Sequence, residues 1–302
     1  RYTSYPTVPY WDEKTIFENQ WIQHIRTAFS QDRGISLYIH LPFCEKLCTY
    51  CGCNKRITKN HTVETPYLES VLKEWDMYFS LFKTKPTIRE IHLGGGTPTF
   101  FSPENLVTLI NGITANCNVA AEHEFSVEVH PNYTTKAHLE ALKSVGFNRI
   151  SLGVQDFDPE VQFIINRIQS FEKTKEVIDW ALELGYYSVN LDLIYGLPKQ
   201  TLEGIKRTFE KVVELQPDRI AFYSYAHVPW KSKGQRRYTD EDVPKAEEKI
   251  AMYGLGNELL SQMGMVSIGM DHFALPTDKL MLAYQKGEMH RNFMGRSEER
   301  RV

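Results

Sequence analysis

The chain has 302 residues, which is enough for one large domain with a well-buried core or for two smaller ones. Its hydrophobic content of 42%, charged content of 24% and net charge of -3 are those of an ordinary globular enzyme and give no electrostatic argument for nucleic-acid binding. The sequence shows no signal-peptide pattern and no apolar run near the length of about 20 residues that crosses a bilayer, so we expect a cytosolic protein.

Short runs of apolar and β-branched residues predict six strands, and apolar spacing of three and four between them predicts six helices. The strands are expected at 36–40, 88–93, 124–129, 149–154, 188–194 and 219–223. The helices are expected at 67–82, 103–113, 136–145, 159–165, 171–184 and 202–215. Capping residues such as Ser102 and Thr135 mark helix starts. The alternation predicts one α/β domain with a parallel sheet and right-handed crossovers.

Distinctive residues follow the ends of these predicted strands, which is where parallel barrels build their active sites. In chain order they are the cysteine segment 44–53, the glycines 94–96, Glu128, Gln155, Asp192 with segment 195–198, and Ala226. We therefore expect them to meet at one end of the sheet.

Four cysteines stand close together, at Cys44, Cys48, Cys51 and Cys53. The C-x3-C-x2-C spacing of the first three lets three thiolates bind three irons of a cubic [4Fe–4S] cluster and leaves the fourth iron open. Zinc is the main alternative, but zinc sites generally draw four ligands from two separated pairs, and the sequence has no second C-x2-C or H-x3-H. Disulfides are disfavoured in a large cytosolic chain. Cys117 stands alone, and we expect an ordinary small residue there.

Taken together, the motifs resemble the radical S-adenosylmethionine (SAM) superfamily and, within it, the family of oxygen-independent coproporphyrinogen III oxidases. The resemblance spans nearly the whole chain and rests on six segments. They are RYTSYPT at 1–7, the C-x3-C-x2-C-x-C loop with Asn54, GGGTP at 94–98, GVQDF at 153–157, DLIYGLP at 192–198 and GMDHF at 269–273. The heptapeptide at 1–7 and Cys53 distinguish this family from its relatives.

The fold class that the resemblance implies is α/β, a partial (β/α)6 TIM-like barrel of the radical SAM type. We expect an N-terminal substrate-site segment at 1–33, the barrel at 34–270, and a C-terminal extension at 271–302 that starts a helical lid domain. Family members continue well beyond the segment at 290–295, so we expect the chain to be a fragment or variant with a truncated lid.

The resemblance also implies residue roles. Cys44, Cys48 and Cys51 would bind the cluster, whereas Cys53 would not. The expected contacts to SAM are Tyr38, Gly94, Gly95, Gly96, Thr97, Glu128, Gln155, Arg167, Asp192 and Ala226. Carboxylates suit ribose hydroxyls or an ammonium group, and a guanidinium suits a carboxylate. We expect one SAM, because Met294 replaces a family glutamine that helps to hold a second one, and a thioether cannot replace an amide.

The implied activity is oxidative decarboxylation of two propionates of coproporphyrinogen III to vinyl groups, which gives protoporphyrinogen IX in haem biosynthesis. Reductive cleavage of SAM would supply a 5′-deoxyadenosyl radical that abstracts the hydrogen, so the cofactor carries the chemistry. Arg1, Tyr2, Arg236 and Arg237 are candidate contacts to the propionates. We expect a monomer that uses an electron donor of unknown identity.

Several alternatives stay open. The basic run at 231–237 could receive carboxylates, although such a run by itself favours a solvated loop face. Asp271 with His272 could either face the barrel mouth or cap a turn. A haem chaperone or a haem-modifying methyltransferase would share the barrel and the cluster. The heptapeptide and Cys53 argue against both.

Overall fold

The computed structural model describes residues 17–29, 34–291 and 297–299. The strands are β1 (Ile35–Leu41), β2 (Phe43–Cys44), β3 (Arg56–Ile57), β4 (Thr87–Gly95), β5 (Asn118–Val129), β6 (Arg149–Gln155), β7 (Ser188–Tyr195), β8 (Arg219–Ser224), β9 (Val266–Gly269), β10 (His272–Ala274), β11 (Met289–Arg291) and β12 (Ser297–Glu299). The helices are α1 (Glu18–Phe29), α2 (Glu64–Phe79), α3 (Pro103–Thr114), α4 (Lys136–Ser144), α5 (Pro159–Ile164), α6 (Phe171–Glu183), α7 (Leu202–Leu215), α8 (Ala246–Gln262) and α9 (Lys279–Lys286).

The main sheet has eight strands in the order β1-β4-β5-β6-β7-β8-β10-β9. The first six are parallel, and β10 and β9 add two antiparallel strands. In the part of the chain that the structure describes, β1 and β9 do not pair with each other, so the sheet is an open, partial barrel. All six predicted strands and all six predicted helices are confirmed, and the caps at Ser102 and Thr135 accept hydrogen bonds from the helix backbone.

The two faces of the sheet differ in polarity. On one face, alternate residues such as Ile91, Leu93 and Leu152 are fully buried and apolar. The other face carries His92, Glu128 and similar polar residues, which hydrogen-bond across neighbouring strands. Barrel interiors of the closed type are packed with branched apolar side chains. The inner face here is therefore built as a site rather than as a hydrophobic core.

The end of the sheet where the strands begin is closed by a buried ionic network. Arg149 Nη1 lies 2.6 Å from Glu124 Oε1, and Arg219 Nη2 lies 3.8 Å from Oε2 of the same carboxylate. Asp278, which caps α9, accepts a 2.6 Å hydrogen bond from Arg219 Nε. Burial alone would raise the pKa of Glu124, but the two guanidinium charges lower it to about 2. The network therefore joins three strands of the sheet to the C-terminal segment.

The C-terminal segment follows the sheet past the expected boundary at 270. Strand β10 runs antiparallel to β8, with Ala274 opposite Arg219. The amide of Leu275 then donates to the carbonyl of Asp218, before β8 begins. Helix α9 therefore starts at the opposite end of the sheet from the cysteine loop. The division into three domains stays a prediction, and positions 1–16 and 30–33 of its first part lie outside the described residues.

A search of the described residues for a helix long and apolar enough to span a bilayer finds none. Cys117 is buried, and its thiol donates to the carbonyl of Ile113 in α3.

Candidate functional site

The cysteine loop leaves the sheet after β1 and is pinned where it starts and ends. Strands β2 and β3 pair in parallel, with Cys44 opposite Ile57. The amide of Arg56 donates to Pro42 O at 2.8 Å, and the amide of Thr58 donates to Cys44 O at 2.9 Å. Residues 45–55 thus form a loop whose two ends are held together by backbone hydrogen bonds.

The tip of this loop rests on the C-terminal end of α5. The amide of Thr49 donates to Ile165 O at 2.9 Å, and the side chain of Asn166 donates to Leu47 O at 2.7 Å. Asn166 has a φ of 54°, a left-handed conformation that asparagine tolerates better than most residues. The helix after β6 therefore fixes the loop that follows β1.

Two of the sulfurs receive hydrogen-bond donors from other segments. Thr97 Oγ1 donates to Cys44 Sγ at 3.5 Å, and Arg167 Nη1 donates to Cys48 Sγ at 3.6 Å. Both cysteines are half-buried. Hydrogen bonds to ligating sulfurs tune the reduction potential of a bound cluster.

The third cysteine is paired with Cys53. A hydrogen bond from the Cys53 thiol, together with the charge of Lys55, lowers the pKa of Cys51 to about 6. The same contact raises the pKa of Cys53. Lys55 Nζ also donates to the carbonyls of Cys51 and Cys53, at 2.8 and 3.3 Å. The two opposite shifts favour ionisation of Cys51 over Cys53.

These residues fit a cubic cluster. Within the described ranges, no three His, Cys, Asp or Glu side chains converge on a point where one metal ion could bind. A [4Fe–4S] cluster with one open iron is bound by one thiolate on each of the other three irons. The loop offers three thiols beside a buried guanidinium, Arg167, whose Nε has no hydrogen-bond partner.

The three glycines at the end of β4, of which Gly94 and Gly95 close the strand and Gly96 follows it, are explained by the protein groups beside them. A Cβ on Gly96 would lie 2.6 Å from Pro42 C and 2.7 Å from Phe43 O. Gly95 has a φ of 116°, and a Cβ on Gly94 would lie 2.9 Å from the Tyr38 ring. The role of this loop at the amino group of SAM stays a proposal.

Glu128 lies directly against the glycine loop. Its Oε2 accepts from the amide of Gly95 at 3.2 Å, and its Oε1 lies 3.3 Å from His92 Nε2. His92 also stacks on Tyr38, with ring centroids 5.8 Å apart. The structure thus brings Tyr38, the glycines and Glu128 together, through a histidine that the sequence motifs do not single out.

Asp192 lies on the same inner face, two strands away. Its carboxylate accepts from Asn190 Nδ2 at 2.9 Å and from Ser151 Oγ at 3.4 and 3.5 Å. Burial raises the pKa of Asp192 to about 6, and these two donors offset only part of that rise. The carboxylate is therefore oriented by neutral groups rather than by an ion pair.

Gln155 and Arg167 meet at Gly153. Arg167 donates to Gly153 O, and a Cβ on Gly153 would lie 2.7 Å from both Arg167 Nη2 and Gln155 Nε2. Gln155 has a φ of 68°, which is strained for a residue with a side chain and typical of functional sites. Gly153 opposes Asp192 in the register of β6 and β7. These three predicted residues are thus adjacent.

Ala226 is exposed just after β8, and its carbonyl accepts from Gln235 Nε2 at 3.2 Å. The same amide group donates to Tyr50 O at 3.2 Å, while Gln235 Oε1 accepts from the amide of Val228 at 2.6 Å. Gln235 is 1% exposed. It therefore joins the predicted adenine-contacting segment to the cysteine loop.

The candidate substrate residues are less tightly placed. Arg236 Nε donates to Pro229 O, and the Arg237 guanidinium lies 5.1 Å from the centroid of the Phe163 ring; both arginines are exposed. Arg1 and Tyr2 lie outside the described residues, as does Met294.

The GMDHF segment forms a tight turn between β9 and β10. His272 Nδ1 lies 2.8 Å from Met270 O, and Asp271 has a φ of 67°. The turn reading of this pair therefore has direct support.

The residues that sequence reasoning missed are the supports of the predicted ones. They are His92, Ser126, Ser151, Asn190 and Gln235. The period of two along β4 to β7 could have placed the first four on the inner face. Gln235 had no sequence signal beyond its place in the basic run.

A fold with parallel strands and a three-cysteine loop at their C-terminal ends defines a class that recurs among known proteins. The family model described as Radical SAM superfamily matches residues 38–212.

Individual relatives narrow the class. The chain is 41% identical over 297 residues to the oxygen-independent coproporphyrinogen III oxidase of Pseudomonas aeruginosa. The alignment covers 98% of this chain and 64% of that protein. The corresponding protein of Synechocystis sp. is 40% identical over 295 residues, with 63% of its length covered. The solved structure of coproporphyrinogen III oxidase from Escherichia coli superposes with a TM-score of 0.93 at 40% identity, over 99% of this chain and 68% of that one.

The chain therefore belongs to the radical SAM superfamily and, within it, to the family of oxygen-independent coproporphyrinogen III oxidases. Membership implies a [4Fe–4S] cluster and SAM. The chain spans less than two thirds of the length of the two curated relatives, 64% and 63%.

Proposed function

We propose that this chain carries out the oxygen-independent oxidative decarboxylation of coproporphyrinogen III to protoporphyrinogen IX, a step of haem biosynthesis. The observation that carries the proposal is the position of the cysteine loop. Its ends are joined by the pairing of β2 with β3, and it contacts the glycine loop and α5 at the carboxyl ends of the parallel strands. The family relationship supplies the substrate class.

Each part of the site has a role in this proposal. Cys44, Cys48 and Cys51 bind the cluster, and the hydrogen bond from Cys53 lowers the pKa of Cys51. When bound, the cluster and SAM supply a carbon radical strong enough to remove a hydrogen from a propionate.

The protein holds SAM by its two oriented carboxylates, Glu128 and Asp192, and by Arg167. The carboxylates suit the ammonium and the ribose hydroxyls, and the orphaned Nε of Arg167 suits the carboxylate of SAM. The remaining contacts are Tyr38, Gly94, Gly95, Gly96, Thr97, Gln155 and the backbone of Ala226. Positioning of the reactants is the protein's main contribution to rate.

The substrate carries four propionates, so cationic side chains near the carboxyl ends of the strands are suited to bind it. We assign Arg236 and Arg237 to propionate contacts, with Arg1 and Tyr2 of the N-terminal segment. Replacing both arginines by alanine is expected to raise KM for the porphyrinogen with little change in iron content. The matched control is the double variant Lys231→Ala, Lys233→Ala, since these lysines are exposed on the same segment. Equal effects of the two double variants would reject the assignment.

The proposal includes a cytoplasmic monomer that takes electrons from a separate donor. An assay that measures 5′-deoxyadenosine, CO2 and the porphyrin product tests the activity, with anaerobically reconstituted protein, SAM and dithionite. Variants Cys44→Ala, Cys48→Ala and Cys51→Ala are expected to lose iron and activity, whereas Cys117→Ala keeps both because its thiol is buried against α3, where it donates to Ile113 O. Stoichiometric haem binding without CO2 release would reject the proposal in favour of a chaperone.

A further inference from the structure

We propose that His92 is a positioning residue that fixes the carboxylate of Glu128 and thereby sets the affinity for SAM. This inference rests on the proposed function, in which Glu128 contacts SAM. His92 belongs to none of the motifs that define the family resemblance. Its place in the hydrogen-bond network of the inner face carries the argument.

The carboxylate of Glu128 is held at both oxygens by groups of the β4 segment. Oε2 accepts from the amide of Gly95, and Oε1 lies 3.3 Å from His92 Nε2. A Cβ at Gly94 would lie 3.0 Å from the Glu128 carboxylate, so that carboxylate packs directly over the glycine backbone. Two donors and one steric contact leave it little rotational freedom.

His92 is itself fixed by a third residue. Its Nδ1 lies 2.6 Å from Ser126 Oγ on β5. Because a carboxylate only accepts hydrogen bonds, Nε2 of the neutral ring carries the hydrogen toward Glu128, and Nδ1 accepts from the Ser126 hydroxyl. The carboxylate of Glu128 thus selects the tautomer, and the Ser126 hydroxyl, which can donate, holds the ring in place at Nδ1.

The same ring touches a second predicted SAM contact. Tyr38 stacks on His92 with an interplanar angle of 15°. A replacement can keep this stacking and remove the hydrogen bond, or do the reverse. His92→Phe keeps an aromatic ring without a donor, and His92→Gln keeps an N–H donor without the ring.

The first experiment measures the dissociation constant of SAM by equilibrium dialysis against anaerobically reconstituted protein. His92→Phe is expected to weaken SAM binding about tenfold, which corresponds to about 1.4 kcal/mol, near the lower end of what a hydrogen bond to a charged group contributes. His92→Gln is expected to restore most of the affinity. Ser126→Ala, which frees Nδ1, should weaken binding in the same direction. Iron content and thermal unfolding are measured on each variant to show that the fold is kept.

The second experiment separates a role through Glu128 from a general packing role. In a double-mutant cycle, His92→Phe is expected to cause no further loss of SAM affinity in a Glu128→Ala background. KM for SAM should rise with kcat less affected in the single variant, because binding rather than reaction is changed.

The inference is overturned if His92→Phe binds SAM like the parent protein, or if its loss persists undiminished without Glu128. Neither result depends on product formation. The proposed function fails separately, when the parent protein binds SAM but releases no CO2 from the porphyrinogen.

Discussion

Gly96 is required by the backbone of the cysteine loop. A Cβ there would lie within 2.7 Å of main-chain atoms of Pro42 and Phe43, which cannot move aside as a flexible side chain could. The amide of Gly96 donates to Leu41 O and that of Thr97 to Phe43 O, so the two loops are in direct backbone contact. The close approach fixes where Thr97 meets Cys44.

Gly96→Ala is therefore expected to lower the free energy of unfolding by about 1–3 kcal/mol, as overpacking does, and to lower iron content after reconstitution. Gly52→Ala is the matched control, because a Cβ at Gly52 meets no atom within 4 Å. Denaturant unfolding and iron analysis measure both variants. Equal behaviour of the two would show that the loops can separate without cost.

Asp192 is expected to trade stability for function. Its pKa of about 6 lies above the ordinary 3.8 because of burial. The folded state then holds the proton more tightly than the unfolded state, so stability falls as pH rises from about 4 to 6 and stays lower above that range.

Asp192→Asn should remove this loss and stabilise the protein at pH 7 by about 1–2 kcal/mol, with no gain at pH 4, while SAM binding weakens. Unfolding curves at the two pH values check the sign. A variant that is less stable at pH 7 than the parent would contradict the burial cause.

The sequence could predict ligands at the residue scale but not their supports. Cysteine spacing is local, so Cys44, Cys48 and Cys51 stand out. The contact between His92 and Glu128 depends on the register of β4 against β5, and no local sequence pattern predicts that register.

At the scale of elements, Gln235 connects the segment after β8 to the cysteine loop. Its buried amide makes three hydrogen bonds to backbone groups on both segments. Gln235→Leu leaves those groups without partners and is expected to cost about 1–3 kcal/mol of stability. Gln262→Leu is the control, because that side chain is exposed and donates to Glu258 on the same helix. Thermal unfolding compares the two variants. Similar shifts in Tm would show that the hydrogen bonds of Gln235 do not stabilise the connection between the two segments.

Regular elements were predicted where periodicity was strong, as in β4 to β8 and α2 to α7. Helix α8 was missed because Gly254 and Gly256 are poor helix formers. Gly256 is nevertheless required, since a Cβ there would lie 2.1 Å from the Phe222 ring. Strands β9 and β10 are too short to give a pattern.

For the whole molecule, the ionic network around Glu124 is expected to matter most in acid. The folded-state pKa of about 2 lies below the ordinary 4.5, so its stabilisation is complete above pH 4.5 and is lost as pH falls toward 2. The four charged residues come from positions 124, 149, 219 and 278, so the sequence alone could not assemble them.

Glu124→Gln is expected to destabilise the protein by about 3 kcal/mol at pH 7, because it leaves buried cations under-compensated, and by less as the pH falls below 4.5. Glu183→Gln breaks an exposed ion pair with Lys136 and should cost much less, because solvent screens the two charges. Urea titrations across the pH range measure both. A pH-independent difference for Glu124→Gln would contradict the assigned pKa.

The pairing of β2 with β3, which joins the two ends of the cysteine loop, affects how a damaged cluster is replaced. Its two backbone hydrogen bonds join the ends of the cysteine loop through amides and carbonyls, which are not iron ligands. Much of the ordering entropy of the loop is then spent during folding rather than when iron arrives. A cluster destroyed by oxygen should leave a folded chain that accepts a new one directly, so damage in air is reversible by iron and sulfide rather than by resynthesis of the protein.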